Sequence, residues 1–468
     1  MRILLIVPNS PNSFKHAPKL DILLPPLGLE YIAAHIEDIA EIRLIDNRIV
    51  NLKFVEEEIR KFQPNYVGIS FNYSNQICEV ETLARFAKEC GAITAVGGWH
   101  PTLLPEETVA SPWIDVVIRS EGELTFRELI QKNSPVGIEG LSYKDNGRII
   151  HNPDRHLTDL NRLRLPARSL RPKEDGHYRY FGMPMDCMET SKGCPFDCRF
   201  CAIHVFYRNT YRHRSIPHIM REIRQVRQRT RFLYFIDDNF IVNPSHVLGL
   251  CEAIIKERMN MFFMTTARAD MVTKRPDVFE KMAKAGFIFL LLGFESFSNK
   301  TLKKLNKCFQ FQEIKTAIRT LHDLGYMIQG NMILGANLDD TEKDLESTIE
   351  IAKSLNIDFP TFSILTPYPG TQLMDEVLAK DLLLSNDWCK YTWFNPLIKY
   401  ENLTSEQLLK YLDKAYSEVP VFKKPFLRLL KIYHARGLGF LLPRFCNIST
   451  LKTAIPRIKN LFNNKKMN

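Results

Sequence analysis

Short continuous apolar runs alternate with helix-period stretches through the first 130 residues. They predict strands over 3–7, 42–45, 66–70, 93–96 and 116–118, with helices over 27–36, 54–62, 80–90 and 124–131 between them. Strands that are apolar throughout and separated by helices belong to a doubly wound parallel sheet with both faces covered. A small β segment follows over 140–151 around the turn Asp145-Asn146-Gly147, and then a stretch rich in Pro and Arg over 152–184. A second alternation starts at Met185. Its strands are predicted over 187–190, 232–236, 262–266, 288–293, 327–334 and 361–365, and its helices over 217–227, 245–257, 277–285, 311–324 and 341–355. Six β/α units with no further change of pattern imply a partial barrel. The expected fold is therefore α/β. A doubly wound, flavodoxin-like or Rossmann-like domain covers 1–150 and a linker covers 151–184. A partial (β/α)6 barrel of the TIM type covers 185–385, and a helical C-terminal region ending in a tail covers 386–468.

The chain has 468 residues, 45% of them hydrophobic and 25% charged, which are globular values. No apolar run reaches the roughly 18–20 residues that span a bilayer. The N-terminus runs from Met1 into Pro8 without a small-residue cleavage site, so a cytoplasmic protein is expected. The net charge of +10 is unevenly placed. From Val421 to Asn468 there are 11 Lys or Arg and no Asp or Glu, so residues 1–420 carry 10 − 11 = −1. The basicity belongs to a tail, which argues against a whole-surface nucleic-acid binder.

Ten cysteines are present, three of them within eight residues in Ser191-Lys192-Gly193-Cys194-Pro195-Phe196-Asp197-Cys198-Arg199-Phe200-Cys201. In a reducing compartment such clustering points to metal or catalysis more than to disulfides. Three thiolates on one short loop after a first barrel strand can hold three irons of a four-iron cluster and leave the fourth iron open to a chelating small molecule. The same residues are also compatible with buried free thiols, or with a Cys3His zinc site completed by His204.

The string Cys194-x3-Cys198-x2-Cys201, with Phe200 before the last cysteine, resembles the signature of radical S-adenosylmethionine (SAM) enzymes. In that family the open iron chelates SAM, and electron transfer cleaves it to methionine and a 5′-deoxyadenosyl radical. The resemblance implies a 4Fe-4S cluster on Cys194, Cys198 and Cys201, and it continues at the predicted strand ends, where barrel enzymes place functional groups. Asp237 and Asp238, in Asp237-Asp238-Asn239-Phe240, are similar to the residues near the methionine amine. Arg268 could meet the SAM carboxylate, and Glu295 resembles the acid on the ribose hydroxyls. Asn331 and Gly335 lie in a string like the motif beside the adenine. Read singly, Asp237 and Asp238 could cap a helix, Glu295 could be a solvated carboxylate, and the glycines could simply turn.

In an open α/β sheet, ligands bind at the strand C-termini near the topological switch. Here that places Ser70 after the third strand and Gly97, Gly98 and His100 after the fourth, the paired glycines leaving room for a bulky ligand. The strings Pro25-Pro26-Leu27-Gly28-Leu29-Glu30, Gly97-Gly98-x-His100-Pro101-Thr102 and Glu121-Gly122-Glu123 resemble the cobalamin-binding domain of class B radical SAM enzymes. The DxHxxG string that supplies a histidine to cobalt is absent: Asp175-x-His177 has Tyr180 where the Gly would be. A structural domain without corrin is the alternative.

The combined resemblance, over about 1–385, implies an enzyme that uses a 4Fe-4S cluster, SAM and cobalamin to functionalise an unactivated carbon. Methylation is the family's commonest outcome, and cyclisation or carbon–carbon coupling is the alternative. It also implies a flavodoxin or ferredoxin-type electron donor. In the tail, Phe426, Leu429, Leu430 and Tyr433 have helical spacing among Lys423, Lys424, Arg428 and Lys431. A basic amphipathic helix of this kind can lie on an anionic membrane, which would suit a hydrophobic substrate; packing on the barrel is the alternative. From a different class, a zinc-containing nucleic-acid module with a basic arm is disfavoured by the polar series at the strand ends.

Overall fold

The computed structural model describes residues 1–9, 23–171, 176–180 and 183–421. The basic tail beyond Val421 lies outside the described residues, as does Asp175. The N-terminal strands are β1 (Arg2–Val7), β2 (Glu41–Asp46), β3 (Tyr66–Ser70), β4 (Ile93–Gly97), β5 (Val116–Ile118), β6 (Leu141–Asp145) and β7 (Arg148–His151). They form one sheet in the order β2-β1-β3-β4-β5-β6-β7. The first five are parallel, and the hairpin β6–β7 adds on antiparallel.

Strand β1 shows why the sheet is covered on both faces. Ile3, Leu5 and Val7 enter one apolar core, and Leu4 and Ile6 enter the other. Period-2 alternation therefore feeds two helix layers, and a strand with no polar face results. The order 2-1-3-4-5 has its switch between β1 and β3, where ligand crevices form.

The second sheet contains β8 (Arg179–Tyr180), β9 (Met183–Met188), β12 (Phe232–Phe235), β13 (Phe262–Ala267), β14 (Phe287–Glu295), β15 (Met327–Leu334) and β16 (Phe359–Ile364), in the order β16-β15-β14-β13-β12-β9-β8. Strands β9 to β16 of this set are parallel, and β8 caps the edge antiparallel. This is the expected partial barrel. Its first strand begins earlier than the predicted 187–190 and ends at Met188. Met185 already pairs with Phe232, and Thr190 turns away to donate its N–H to Asp237. A separate two-stranded ribbon joins β10 (Ser191–Lys192) to β11 (Arg212–His213).

Alternation sorts the barrel strands in the same way. On β14, Phe287, Leu290, Leu292 and Phe294 face the large outer core, while Ile288 and Phe289 join a second cluster with Tyr234, Met264 and Phe359. Leu27 and Tyr31 from the helix Leu27–Ile36 of the first sheet belong to that same cluster. The first domain, through this helix, thus shares an apolar core with the barrel sheet.

The stretch expected as a linker is also built into this junction. Arg168 and Arg171 are each 5% exposed. Arg168 donates to Glu222 and to the Cys187 carbonyl, while Arg171 pairs with Glu30 and Asp186. Arg214 completes the network with an ion pair to Glu222 at 2.6 Å. Beyond β16, the segment up to the helix Ser405–Glu418 runs back along the barrel edge, and a disulfide joins Cys389 to Cys78 of the first domain.

Candidate functional site

The cysteine loop starts at Gly193, whose φ is +88° and whose Cβ would strike the Thr210 carbonyl. Only glycine suits this entry. Cys194, Cys198 and Cys201 are free thiols, Cys198 buried and the other two half-buried. Burial raises the Cys194 thiol and pushes Cys201 up to about 12. Backbone N–H groups of Phe196 and Ile203 aim at the Cys194 and Cys201 sulfurs and work the other way, favouring thiolate. The Asn239 amide, otherwise unpaired, lies beside the Cys194 sulfur.

Among the described residues, no three His, Cys, Asp or Glu side chains converge to hold a single metal ion. His204, the candidate fourth ligand of a zinc site, is buried with Nδ1 unpaired. A four-iron cluster needs no such convergence, because each thiolate meets its own iron.

The strand-end residues divide into two groups. Asp238, Arg268 and Glu295 gather around the cysteine loop. Asp238 accepts from the Gly193 N–H at 3.3 Å, and burial pushes its carboxyl up to about 7. The Arg268 guanidinium lies 3.7 Å over the Phe196 ring, donates through Nε to Asp270, and leaves Nη2 without a partner. Glu295 sits at a bulge with φ +61° and pairs with Lys307 at 2.9 Å, and the Lys307 ammonium lies 5.6 Å from the centre of the Phe200 ring.

Asp237, Asn331 and Gly335 are occupied inside the protein. Asp237 accepts from Thr190 and Ser191, tying the end of β9 to β12. Asn331 accepts from Gln329 and Thr361. The Gly335 carbonyl accepts from the Tyr400 hydroxyl at 2.7 Å, and a Cβ on Gly335 would stand 2.8 Å from that oxygen.

A cavity of about 410 Å³ opens between the two sheets. Ser70, Gly97 and Gly98 border it, together with Gly28 and Gly122. Gly98 has φ +126°, and its Cβ would come within 2.6 Å of the Phe71 carbonyl and the Asn72 side chain. It is glycine because of its own backbone, and the Cβ of Gly97 would rest on Ile118. Gly28 differs, since a Cβ there would meet nothing within 4 Å. His100 is not on the wall. Its ring is stacked on Phe71, hydrogen-bonded to Ser74 at 2.9 Å and packed against Trp388, and burial lowers its pKa to about 4.

The barrel side of the cavity carries Glu189, Lys192, Phe206 and Tyr207, and Trp99 crosses from the other side to stack on Phe206 at 4.3 Å. Lys192 donates to Glu123 at 2.9 Å, and Arg212 grips Glu121 with both Nη atoms. Neither Glu189 nor Lys192 stands out in the sequence; Lys192 is one residue of a cysteine-loop string whose partners lie about 70 positions away.

The Radical SAM superfamily model matches residues 188–372, and the B12 binding domain model matches 19–130. An uncharacterised methyltransferase of Pyrococcus horikoshii is 32% identical over 449 residues, covering 93% of this chain and 96% of that one. The chain belongs to the cobalamin-binding radical SAM family. It is an enzyme of this family, whose cofactors are a 4Fe-4S cluster, SAM and cobalamin. It is also 28% identical to hopanoid C-3 methylase of Methylococcus capsulatus over 368 residues, 76% of this chain and 69% of that protein. The fold is shared with the cobalamin-dependent SAM radical enzyme OxsB, with a TM-score of 0.70 at 18% identity, covering 86% of this chain and 64% of that one. TsrM from Kitasatospora setae shares it at TM-score 0.65 and 16% identity, with 81% and 76% covered.

The residues present fit these cofactors of the radical SAM family. Three free thiols with N–H groups aimed at two of them suit a cluster. The unpaired Arg268 Nη2 is a donor left for a ligand. The open Cβ direction at Gly28 leaves the cavity wall bare, as a large flat ligand requires.

Proposed function

We propose that this enzyme methylates an unactivated carbon of a hydrophobic small molecule. The carrying observation is that one cavity has a glycine-bordered wall from the first sheet and a barrel wall next to the cysteine loop. When bound, the cluster and SAM supply the 5′-deoxyadenosyl radical and cobalamin supplies the methyl group. Cys194, Cys198 and Cys201 hold the cluster. Arg268 and Glu295 orient SAM beside it, Asp238 keeps the loop entry in place through Gly193, and the walls of the cavity exclude water. An external flavodoxin or ferredoxin-type protein delivers the electron.

The hydrophobic substrate is supported by the hopanoid methylase among the relatives and by Trp99, Phe206 and Tyr207 on the cavity wall. Among the described residues no helix is long and apolar enough to cross a membrane, and the basic tail offers a peripheral contact instead. A cyclase reading draws on the 25% identity over 460 residues to the anaerobic magnesium-protoporphyrin IX monomethyl ester cyclase of Rubrivivax gelatinosus.

The test supplies reduced, reconstituted enzyme with methyl-deuterated SAM and a total lipid and pigment extract. Mass spectrometry of the extract is expected to show a product carrying the labelled methyl group. Formation of 5′-deoxyadenosine with an altered but unlabelled product would replace methylation by cyclisation.

A further inference from the structure

The turn that follows the helix Asn299–Lys304 is fastened to the cysteine loop. The Arg199 N–H donates to the Leu305 carbonyl at 3.3 Å. The Asn306 amide donates to the Asp197 carboxylate at 2.7 Å and to the Asp197 carbonyl at 3.3 Å. Asp197 and Arg199 flank Cys198 on either side. Asn306 has φ +58°, a left-handed position that Asn tolerates, and the Lys307 N–H closes the turn on the Leu302 carbonyl at 2.9 Å. The Lys307 side chain therefore leaves from a point fixed relative to the loop. It turns inward and is 9% exposed, with its Nζ 5.6 Å from the centre of the Phe200 ring and 5.9 Å from that of Phe309. Glu295 accepts one of its N–H groups at 2.9 Å. Among the described residues it has no other hydrogen-bond partner, so two of the three ammonium N–H groups remain. A Cβ on Gly293 would strike the Glu295 carboxylate, so that glycine leaves room for the pair.

We infer that Lys307 is the cation that eases electron entry into the cluster: its ammonium, held against the loop between Cys198 and Cys201, offsets the negative charge that reduction adds. This rests on the reading of Cys194, Cys198 and Cys201 as the cluster ligands. One electron from an external donor adds one unit of negative charge to a cluster on three thiolates. A positive charge held nearby in a dry site stabilises that reduced form more than the oxidised one. Net charge and the surroundings of the sulfurs set the potential of such clusters. The charge on Lys307 is secure. Burial opposes it, but Glu295 and the Cys198 sulfur more than compensate and raise its pKa above the ordinary value. The same ammonium favours the thiolate form of Cys201. Glu295 carries the opposite charge and so acts on the cluster in the opposite sense.

The experiment is a redox titration of the full chain with its cluster reconstituted, without SAM and at one fixed pH. Dithionite is the reductant, electron paramagnetic resonance counts the reduced cluster, and iron is measured on the same samples. At the wild-type midpoint, Lys307→Gln is expected to hold about a tenfold lower ratio of reduced to oxidised cluster, a shift of about 59 mV to lower potential for one electron. Lys307→Arg keeps the charge and should match wild type. Glu295→Gln should shift the midpoint upward. Opposite shifts separate a charge effect from a loosened loop, which would move both variants the same way. A lysine that only held Glu295 for SAM would leave the SAM-free midpoint where it is. If Lys307→Gln keeps its iron and the wild-type midpoint, or if Lys307→Arg falls as far as Lys307→Gln, the inference is overturned while the cluster reading stands. If Lys307→Gln takes up no iron, Glu295→Gln decides: a raised midpoint supports the inference, and an unmoved or lowered one overturns it. If wild type takes up no iron, the cluster reading itself fails and the inference with it.

Discussion

The rim of the barrel and the rim of the first sheet border one cavity, and both are made from the C-terminal ends of parallel strands, yet they are lined differently. Glu189 of the barrel rim lines the cavity, and beyond that lining the rim offers three thiols, Asp238, Arg268 and Glu295. The rim of the first sheet sets bare backbone at Gly28, Gly97, Gly98 and Gly122 among polar side chains such as Ser70, Asn72, Gln76, Glu121 and Glu123. A cluster and a zwitterionic cofactor need donors and acceptors at set points. A large flat ligand needs an uncrowded wall and few polar contacts. The difference teaches that a loop of thiols on one rim and stretches of bare backbone on the other are both ways to build a site, and that each fails differently when altered.

The largest break in this comparison comes from the cysteines. Replacing Cys194, Cys198 and Cys201 by Ala should remove all cluster iron and all SAM cleavage, while methylcobalamin still binds. Iron analysis and dialysis on the same sample check this; loss of both ligands together would show that the rims are not independent. Next is the buried network that joins them. Arg168→Met leaves Glu222 one donor short in a site where neither is more than 5% exposed, and should cost about 3–5 kcal/mol of stability. Chemical denaturation measures it, and a cost near zero would mean the network is solvated. The smallest effect sharpens the contrast between glycines. Gly28→Phe should weaken methylcobalamin binding by about 1–3 kcal/mol through overfilling, with iron content unchanged. Gly98→Ala should lower folding stability, since its Cβ would strike backbone. Equal behaviour of the two variants would remove the distinction.

The same contrast decides what can be read from the sequence. Apolar alternation predicts both sheets, because strands covered on two faces have no polar positions to hide the period. The cysteine loop is legible because three ligands lie within eight residues. Asp237 is legible as a strand-end acid, but its partners Thr190 and Ser191 follow a different barrel strand, so its structural duty is not. Glu189, Lys192 and the network of Arg168, Arg171, Glu30 and Glu222 are assembled across the two domains, and no local spacing marks them. The bond between Cys78 and Cys389, 311 residues apart, gives no signal for the same reason. Paired glycines are visible as glycines, but whether a glycine serves a ligand or its own backbone depends on where its missing Cβ would point.

The central claim is that one chain carries a radical-generating cluster on one side of the cavity and a corrin on the other. The most direct measurement is iron, sulfide and corrin content of a single anaerobically reconstituted sample of the full chain. The account predicts about four irons and about four sulfides for each corrin bound. A full complement of iron and sulfide with no corrin, or stoichiometric zinc in place of iron, would contradict it.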